Sequence, residues 1–265
     1  MTYILDPAWH AEHARLENLA SLYDPGTAAI CDQLGVTAGW RCADLGAGTG
    51  TVVKILADRV GSEGEVLAVD ADTRFLEPLA GGPISVLAAD VTSEPLPANR
   101  FDLAHSRLLL EHLPAAETVI ESMAKAVRPG GWVFVEDLDW TTAMAVDPPS
   151  EAHERIIRAC HELFTGTPYD PSCGRKLPRL LRRAGLTDIG ARSTALYLSA
   201  DSAHGLPGWE MLVEQLAPRL LELGLLSQAD LDAFHQLWHD GDSICFGPLM
   251  VSAWGRRKTD DERLE

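Results

Sequence analysis

Short apolar runs alternate with amphipathic segments between residues 41 and 138. An apolar run of this length favours a strand, and apolar residues at helical spacing favour a helix. The pattern predicts five strands, at residues 41–46, 65–70, 84–89, 101–105 and 132–138. It predicts helices between them, at residues 50–60, 72–80 and 115–127. Strands rich in Val, Leu and Ala that alternate with helices are typical of a parallel sheet covered on both faces.

The segments on either side of this block are predicted to be mainly helical. Before it, apolar spacing indicates a helix over about residues 7–22. A second helix is expected to begin at Asp24, with Pro25 in its first turn, and to end at Gly35. After the block, the pattern predicts helices at residues 150–164, 175–184, 208–223 and 228–239, and strands at 187–198 and 244–254.

These elements predict an α/β fold with a doubly wound sheet that is mostly parallel and has an antiparallel C-terminal strand. Residues 1–38 are expected to form helices that cover the binding site of the protein. Residues 39–199 together with 244–258 are expected to form the core domain, which contains the sheet. The insertion at 200–243 is too long for a turn. We expect it to form either a helical lid or an oligomer surface, and the second option would give a homodimer.

Composition narrows the class of protein. The chain has 265 residues and a formal net charge of −17, which would repel a phosphate backbone, so nucleic acid is not expected as the main partner. Its five cysteines form no C-x-x-C pair, so neither a disulfide scaffold nor a metal site is predicted. Without a signal peptide or an apolar run of about 18 residues, we expect a cytoplasmic protein that does not enter a membrane.

A glycine-rich stretch, A-D-L-G-A-G-T-G at residues 43–50, lies where the first predicted strand turns into a helix. Glycine permits positive φ and lets a ligand approach the backbone, and the helix N-terminus beyond it favours polar or anionic groups. Asp70 closes the next strand, where a carboxylate can accept both hydroxyls of a ribose. Together these features predict a site for a cofactor that contains a nucleoside.

The glycine spacing separates two cofactor classes. A dinucleotide fold requires G-x-G-x-x-G, which would place its third glycine where this chain has Thr51, and this disfavours a nicotinamide-dependent oxidoreductase. The chain has G-x-G-x-G preceded by Asp44. This arrangement resembles the first motif of the class I S-adenosylmethionine-dependent methyltransferases.

Four further segments resemble motifs of that family in the same order: residues 88–91 after the third strand, 101–107 in the fourth, 110–113 after it, and the R-P-G-G turn at 128–131. The resemblance covers roughly residues 40–138. It implies a Rossmann-like fold, S-adenosylmethionine as cofactor and methyl transfer to a small molecule, with oxygen or nitrogen favoured over carbon as the acceptor atom. The chain is similar to bacterial small-molecule methyltransferases, including those that act in secondary metabolism.

The resemblance also implies the cofactor-binding residues. Those near the methionine part would be Asp44, Gly46, Gly48, Gly50, Ser106 and Arg107. Those near the nucleoside would be Asp70 at the ribose, Ala71 against the adenine ring, and Asp90 with Val91 at the adenine amino group. Alternatives stay open: Asp70 could cap the following helix, Asp90 could form a turn, and Arg107 could serve as an ion-pair partner.

Two histidines are candidate general bases, because imidazole is matched to proton transfer near neutral pH. His105 and His112 fall near the carboxyl end of the fourth strand, where open α/β sheets bind ligands. His112 is favoured because it lies beyond the strand end, nearer to where an acceptor should enter. For both, ordinary packing at a helix start is the alternative.

The end of the fifth strand carries candidate substrate-binding residues, namely Asp137, Asp139 and Trp140. Carboxylates beside an indole could bind an amine or a hydroxylated scaffold. With Glu136, they could instead form a solvated strand end that caps the next segment. Two other functions remain alternatives: a reaction without methyl transfer on the same scaffold, such as a cyclisation, and a non-catalytic binding protein.

Overall fold

A computed structural model describes residues 12–200, 205–239 and 241–259. Seven strands form its central sheet: β1 (Arg41–Leu45), β2 (Glu65–Asp70), β3 (Ile84–Ala88), β4 (Phe101–Arg107), β5 (Val127–Asp139), β7 (Thr187–Thr194) and β10 (Leu249–Arg256). Their order is β3-β2-β1-β4-β5-β10-β7, and β10 runs antiparallel to both of its neighbours. The other pairings are parallel. The predicted α/β sheet, mostly parallel with one antiparallel C-terminal strand, is confirmed.

The described residues form seven α-helices: α1 (Glu12–Gln33), α2 (Thr51–Val60), α3 (Ala116–Ala126), α4 (Glu151–Phe164), α5 (Cys173–Arg183), α6 (Gly205–Glu222) and α7 (Gln228–His239). Helices α1 and α2 pack on one face of the sheet and α3 and α5 on the other. None of the helices in the described part of the chain is both long and apolar enough to cross a membrane.

Alternation along the strands decides which face each side chain reaches. In β1, Cys42 packs on the α1–α2 face, whereas Ala43 and Leu45 pack on the α3–α5 face. In β5, Phe134 and Val135 divide in the same way. This alternation continues to the carboxyl ends of the strands, where it places the polar residues that matter for the site.

A separate apolar cluster lies beyond the carboxyl end of β5 and forms what we call the helical cap. It consists of α4, α6, α7 and a small antiparallel sheet of β6 (Val146–Asp147), β8 (Tyr197–Ser199) and β9 (Ile244–Phe246). Trp140, Phe164 and Trp209 are buried in this cluster. The cap therefore includes α4, which the sequence placed in the core, as well as the two helices of the predicted 200–243 insertion.

Two helical predictions differ from the structure. The helix expected at 7–22 begins at Glu12 in the described residues, with residues 7–11 outside them, and continues through Pro25 to Gln33. It does not break because the buried positions Tyr23, Thr27 and Ile30 keep helical spacing while Pro25 stays exposed.

The helix expected at 72–80 is reduced to one short 3-10 turn, Glu77–Leu79. Two Asx turns, in which Asp72 N donates to Asp70 and Arg74 N donates to Asp72, use the backbone groups that would begin a helix. Pro78, inside the turn, also lacks the N–H that a longer helix would need.

Candidate functional site

A cavity of about 580 Å³ lies at the carboxyl edge of the parallel strands. Ends of β1, β2 and β4 form its floor, α1 lines one side, and residues of the helical cap close the other. This volume falls within the range of roughly 300–1,000 Å³ that is usual for small-molecule sites. Edges of this kind, outside the carboxyl ends of parallel strands, are where open α/β sheets bind ligands.

The three glycines of the G-x-G-x-G turn have positive φ angles, 70° at Gly46, 54° at Gly48 and 76° at Gly50. Gly46 and Gly48 line the cavity. A Cβ at Gly48 would meet no atom within 4 Å, so the backbone there is open to a ligand. Gly50 does not line the cavity, and a Cβ at that position would collide with Leu79. It therefore serves close packing at the start of α2.

The contrast between the open Gly48 and the enclosed Gly50 gives a stability test. Gly50→Ala is expected to lower the free energy of unfolding by about 1–2 kcal/mol more than Gly48→Ala, because both variants are strained by the positive φ but only the methyl group added at position 50 is overpacked. Urea unfolding of the two variants measures the difference. Equal losses would show that Leu79 moves aside without cost.

Asp70 ties the second strand to the glycine turn. Its Oδ2 accepts from Gly48 N (2.9 Å) and its Oδ1 from Asp72 N (2.9 Å). Burial raises the pKa of Asp70, and the two backbone hydrogen bonds oppose that rise. A carboxylate offers about four lone-pair sites, so two remain for ligand hydroxyls. Without a helix at 72–80, Asp70 is not a helix cap.

The remaining residues at this end of the cavity come from the ends of β2 and β3. Ala71 and Asp90 line the cavity, as does Thr92, which the sequence analysis did not select. Asp90 Oδ1 accepts from Thr92 N (2.9 Å) and Thr92 Oγ1 (2.6 Å), so it does form a turn. Val91 points away from the cavity and packs against the core.

Asp44, His105 and Glu136 form a buried row across β1, β4 and β5 on the α1–α2 face. His105 Nδ1 lies 2.7 Å from Asp44 Oδ1, and its Nε2 lies 3.3 Å from Glu136 Oε2. Burial opposes the charged ring, but the two carboxylates outweigh it and the pKa of His105 is raised. The ring is 0 % exposed and both nitrogens are occupied. With both nitrogens facing carboxylates and no contact with the cavity, the ring cannot accept a proton from a molecule there.

Arg107 joins this row to α1. Its guanidinium donates to Asp24 Oδ1 (2.7 Å) and Thr27 Oγ1 (2.9 Å), and Thr27 Oγ1 donates to Glu136 Oε2 (2.6 Å). Arg107 lines the cavity, yet these bonds make it an ion-pair partner that holds α1 beside the glycine turn. Ser106 lies on the opposite face of β4, fully buried and away from the cavity.

His112 and Glu111 line the inner part of the cavity, on a 3-10 turn (Leu110–His112) after β4. The His112 side chain is 17 % exposed, with Nε2 3.6 Å from Glu111 Oε1. Burial lowers the pKa of His112 to about 4, so its imidazole is uncharged near neutral pH. Burial likewise raises the pKa of Glu111 to about 8. Of the two predicted histidines, His112 is thus the one that the structure places at the cavity in the form of a base.

Aromatic rings from the helical cap close the inner end of the cavity. Trp140 and Trp209 have ring centroids 5.7 Å apart, and Phe164 and Tyr169 have centroids 4.2 Å apart. Trp140 Nε1 donates to Tyr169 Oη (2.6 Å). All four rings line the cavity.

Asp137 and Asp139, predicted to bind substrate, do not line the cavity. Strand alternation sends both to the α3–α5 face, opposite Glu136. Asp139 pairs with Arg175, and it accepts from Thr141 N (3.0 Å) as the cap of a 3-10 turn. The Arg175 hydrogen bond first, and then those from Thr141, lower the pKa of Asp139 to about 2. Asp137 is fully buried beside Glu111, where burial raises its pKa. Only Trp140 of the three predicted residues reaches the cavity.

Among the polar residues that line the cavity and that sequence reasoning missed are Arg15, Tyr23, Glu111 and Tyr169. Arg15 and Tyr23 lie eight residues apart on α1, so helical spacing places them on one face. Glu111 precedes His112 in the Leu-Glu-His-Leu segment, which was the available signal. Tyr169 lies in the loop after α4 and had no local signal.

Comparison with known proteins identifies the family. A family model described as a methyltransferase domain matches residues 43–135. Methyltransferase str2 of Strobilurus tenacellus is 31 % identical over 160 residues, which cover 59 % of this chain and 57 % of that protein. Methyltransferase str3 of the same organism is 30 % identical over 192 residues, covering 72 % of this chain and 68 % of that protein. The chain belongs to the class I S-adenosylmethionine-dependent methyltransferases.

Solved structures agree with this methyltransferase fold. The phosphoethanolamine N-methyltransferase 2 of Haemonchus contortus, solved with S-adenosyl-L-methionine, aligns with a TM-score of 0.59 at 16 % identity. The alignment covers 98 % of this chain and 61 % of that one. At such low identity the likeness establishes the Rossmann-like fold alone.

The cavity fits the cofactor of this methyltransferase family. Gly48 leaves its backbone open, Asp70 presents a carboxylate with spare lone pairs, and Asp44 lines the cavity beside the glycine turn. Seven of the predicted cofactor residues line the cavity: Asp44, Gly46, Gly48, Asp70, Ala71, Asp90 and Arg107. Gly50, Val91 and Ser106 do not.

Proposed function

We propose that this methyltransferase transfers a methyl group from S-adenosylmethionine to the oxygen or nitrogen of a small molecule. The observation that carries the proposal is the continuity of the cavity, which runs from the glycine turn and Asp70 to His112 and the aromatic rings of the cap. One end suits the cofactor, and the other is a largely apolar chamber walled by α1 and the helical cap. A concave, mostly apolar site of this kind favours a small acceptor over a protein or nucleic acid.

The residues at each end have separable tasks. Asp44 would hold the cofactor's ammonium group, Asp70 its ribose hydroxyls and Asp90 its adenine amino group. The cofactor, when bound, supplies a methyl group on a positively charged sulfur, and transfer leaves that sulfur neutral. His112 would take the proton that the acceptor loses, because its uncharged imidazole is exposed to the chamber.

The helical cap would act as a cover over the acceptor. Gly208, Trp209 and Leu212 of α6 line the cavity, and so do Leu16 and Leu19 of α1. Two helices that are distant in sequence thus line the same space, which supports the lid interpretation of the 200–243 insertion. A homodimer, a cytoplasmic location and a role in secondary metabolism stay predictions.

Binding and product mass test the proposal. Calorimetric titration with S-adenosylhomocysteine is expected to show one site per chain, and no binding at about 100 μM would count against it. With an accepted substrate, mass spectrometry should show the gain of one methyl group. A product of unchanged mass would favour the cyclisation alternative, and cofactor binding without any product from a broad acceptor panel would favour a binding protein.

A further inference from the structure

We propose, on the basis of the methyl transfer proposed above, that the acceptor is an uncharged hydroxyl compound with a flat apolar body, such as a phenol or naphthol. An alkylammonium acceptor is the alternative that the sequence left open. The choice follows from the inner chamber, by which we mean the part of the cavity bounded by α1, residues 108–113 and the helical cap.

The walls of the inner chamber are apolar and partly aromatic. Leu108, Leu113 and Leu138 line it from the strand ends, and Trp140 and Trp209 line it from the cap. Indole and phenyl rings offer broad apolar surfaces to a flat ligand. Rings can also attract a cation, so the decision between a phenol and an ammonium depends on the charged groups around them.

The three carboxylates at the end of β5, which could have paired with an ammonium, are engaged elsewhere. Glu136 is buried under α1 and accepts from Thr27, Ser252 and His105. Asp139 is paired with Arg175 outside the cavity. Asp137 lies beneath the chamber wall, does not line it, and accepts from Glu111 N (3.3 Å). None of these three provides a negative charge at the chamber surface.

Glu111 is the carboxyl group that does line the chamber, and its surroundings keep it uncharged. It is 3 % exposed, and this burial outweighs the hydrogen bonds from Leu138 N (3.3 Å) and Tyr169, which favour the ionised form. The buried Asp137 and the nearby Asp170 both disfavour a negative charge on it. Its raised pKa agrees with this geometry, since a buried carboxyl near other carboxyls retains its proton.

Arg15 and His112 complete the electrostatics of the chamber. Arg15 is a buried cation that lines the chamber and lowers the pKa of His112. Its positive charge repels an ammonium group and stabilises an oxygen that becomes negative. The uncharged imidazole of His112 can accept a hydrogen bond from a hydroxyl, whereas an ammonium would find no ionised carboxylate among the described residues that line the inner chamber, since Asp44, Asp70 and Asp90 line the cofactor end.

A matched pair of probes tests this inference. 2-Naphthylmethanol and 2-naphthylmethylamine have the same shape but differ in charge at about pH 7, where the amine is protonated. Calorimetry on the full chain saturated with S-adenosylhomocysteine is expected to show that the alcohol binds at least about tenfold more tightly. Equal affinities, tighter binding of the amine, or no binding of either probe would overturn the proposal.

The variant Glu111→Gln makes the result specific to the chamber. It is expected to preserve the preference for the alcohol, because it exchanges one uncharged group for another of the same size. An amine preference in the natural protein that disappears in E111Q would show that Glu111 is ionised and that the chamber is an ammonium site. Failure to bind S-adenosylhomocysteine would contradict methyl transfer itself, whereas normal cofactor binding with the wrong probe preference contradicts only the acceptor class.

Discussion

Replacing His105 with leucine is expected to lower the free energy of unfolding by about 3–5 kcal/mol, the usual cost of removing one partner from a buried ionic cluster. His105 lies between Asp44 (2.7 Å) and Glu136 (3.3 Å), and all three are buried. Without the ring, two carboxylates would remain in the interior with no cation between them. Urea unfolding followed by circular dichroism measures the loss.

The loss of unfolding free energy in the His105→Leu variant should depend on pH. Burial raises the pKa of Glu136, but the hydrogen bond and the charge of His105 outweigh burial, so the pKa is lowered overall. The Glu136 carboxylate therefore stabilises the fold above its unfolded pKa near 4.5, and this contribution is lost as pH falls. The raised pKa of His105 stabilises the fold below its unfolded pKa near 6.5 and is lost as pH rises through the folded value. The deficit of the variant is therefore expected to be largest between about pH 4.5 and 6.5.

His112→Leu is the matched control, because it removes the same group from a position at the cavity wall. It should lower stability by no more than about 1 kcal/mol, since the ring is partly exposed and uncharged. Its main expected effect is on turnover. A His105→Leu variant that is as stable as the natural protein but inactive would indicate that His105 takes part in catalysis.

Asp70→Ala is expected to weaken S-adenosylhomocysteine binding by about 1.5–3 kcal/mol, or roughly ten- to 150-fold, through loss of two charge-assisted hydrogen bonds to the ribose. The carboxylate lines the cavity at the end of β2 and already accepts from Gly48 N and Asp72 N. Calorimetric titration gives the affinity directly. An unchanged affinity would show that the cofactor lies elsewhere in the cavity.

Two controls separate a ribose contact from disturbance of the glycine turn. Asp72→Ala removes a neighbouring carboxylate that is paired with Arg74, and it should change the affinity by less than about threefold. Asp70→Asn keeps an acceptor for Gly48 N but removes the charge. If it binds the ligand as weakly as Asp70→Ala while its unfolding temperature stays normal, the lost contact is with the ligand.

Local sequence predicted the cofactor end of the site. The G-x-G-x-G turn and Asp70 lie close together in the chain, on strands that pair directly, so spacing alone brought them together. The same holds for the parallel direction of β1, β2, β4 and β5, which follows from the alternation of strands and helices. His112 was also predicted to lie near the site from local sequence, because it comes a few residues after the end of β4.

The acceptor end could not be predicted in this way. Its walls come from α1, from Trp140 and from the cap helices, which are distant in sequence and meet only when the apolar cluster of the cap packs. The state of Glu111 depends on burial beside Asp137 and on Tyr169, neither of which adjoins it in the chain. Helix α1 likewise continues through Pro25 because its buried face and Arg107 hold both halves.

The chain by itself determined the sheet, the glycine turn and the carboxylate that closes the second strand, because each depends on residues within one strand–helix–strand unit. Only the tertiary structure decided which polar residues reach the cavity. Adjacent residues of a strand point to opposite faces, so Glu136 lies in the ionic row with His105, and Asp137 is buried on the other side of the sheet. Burial, a property of the packed molecule, then set which groups carry charge.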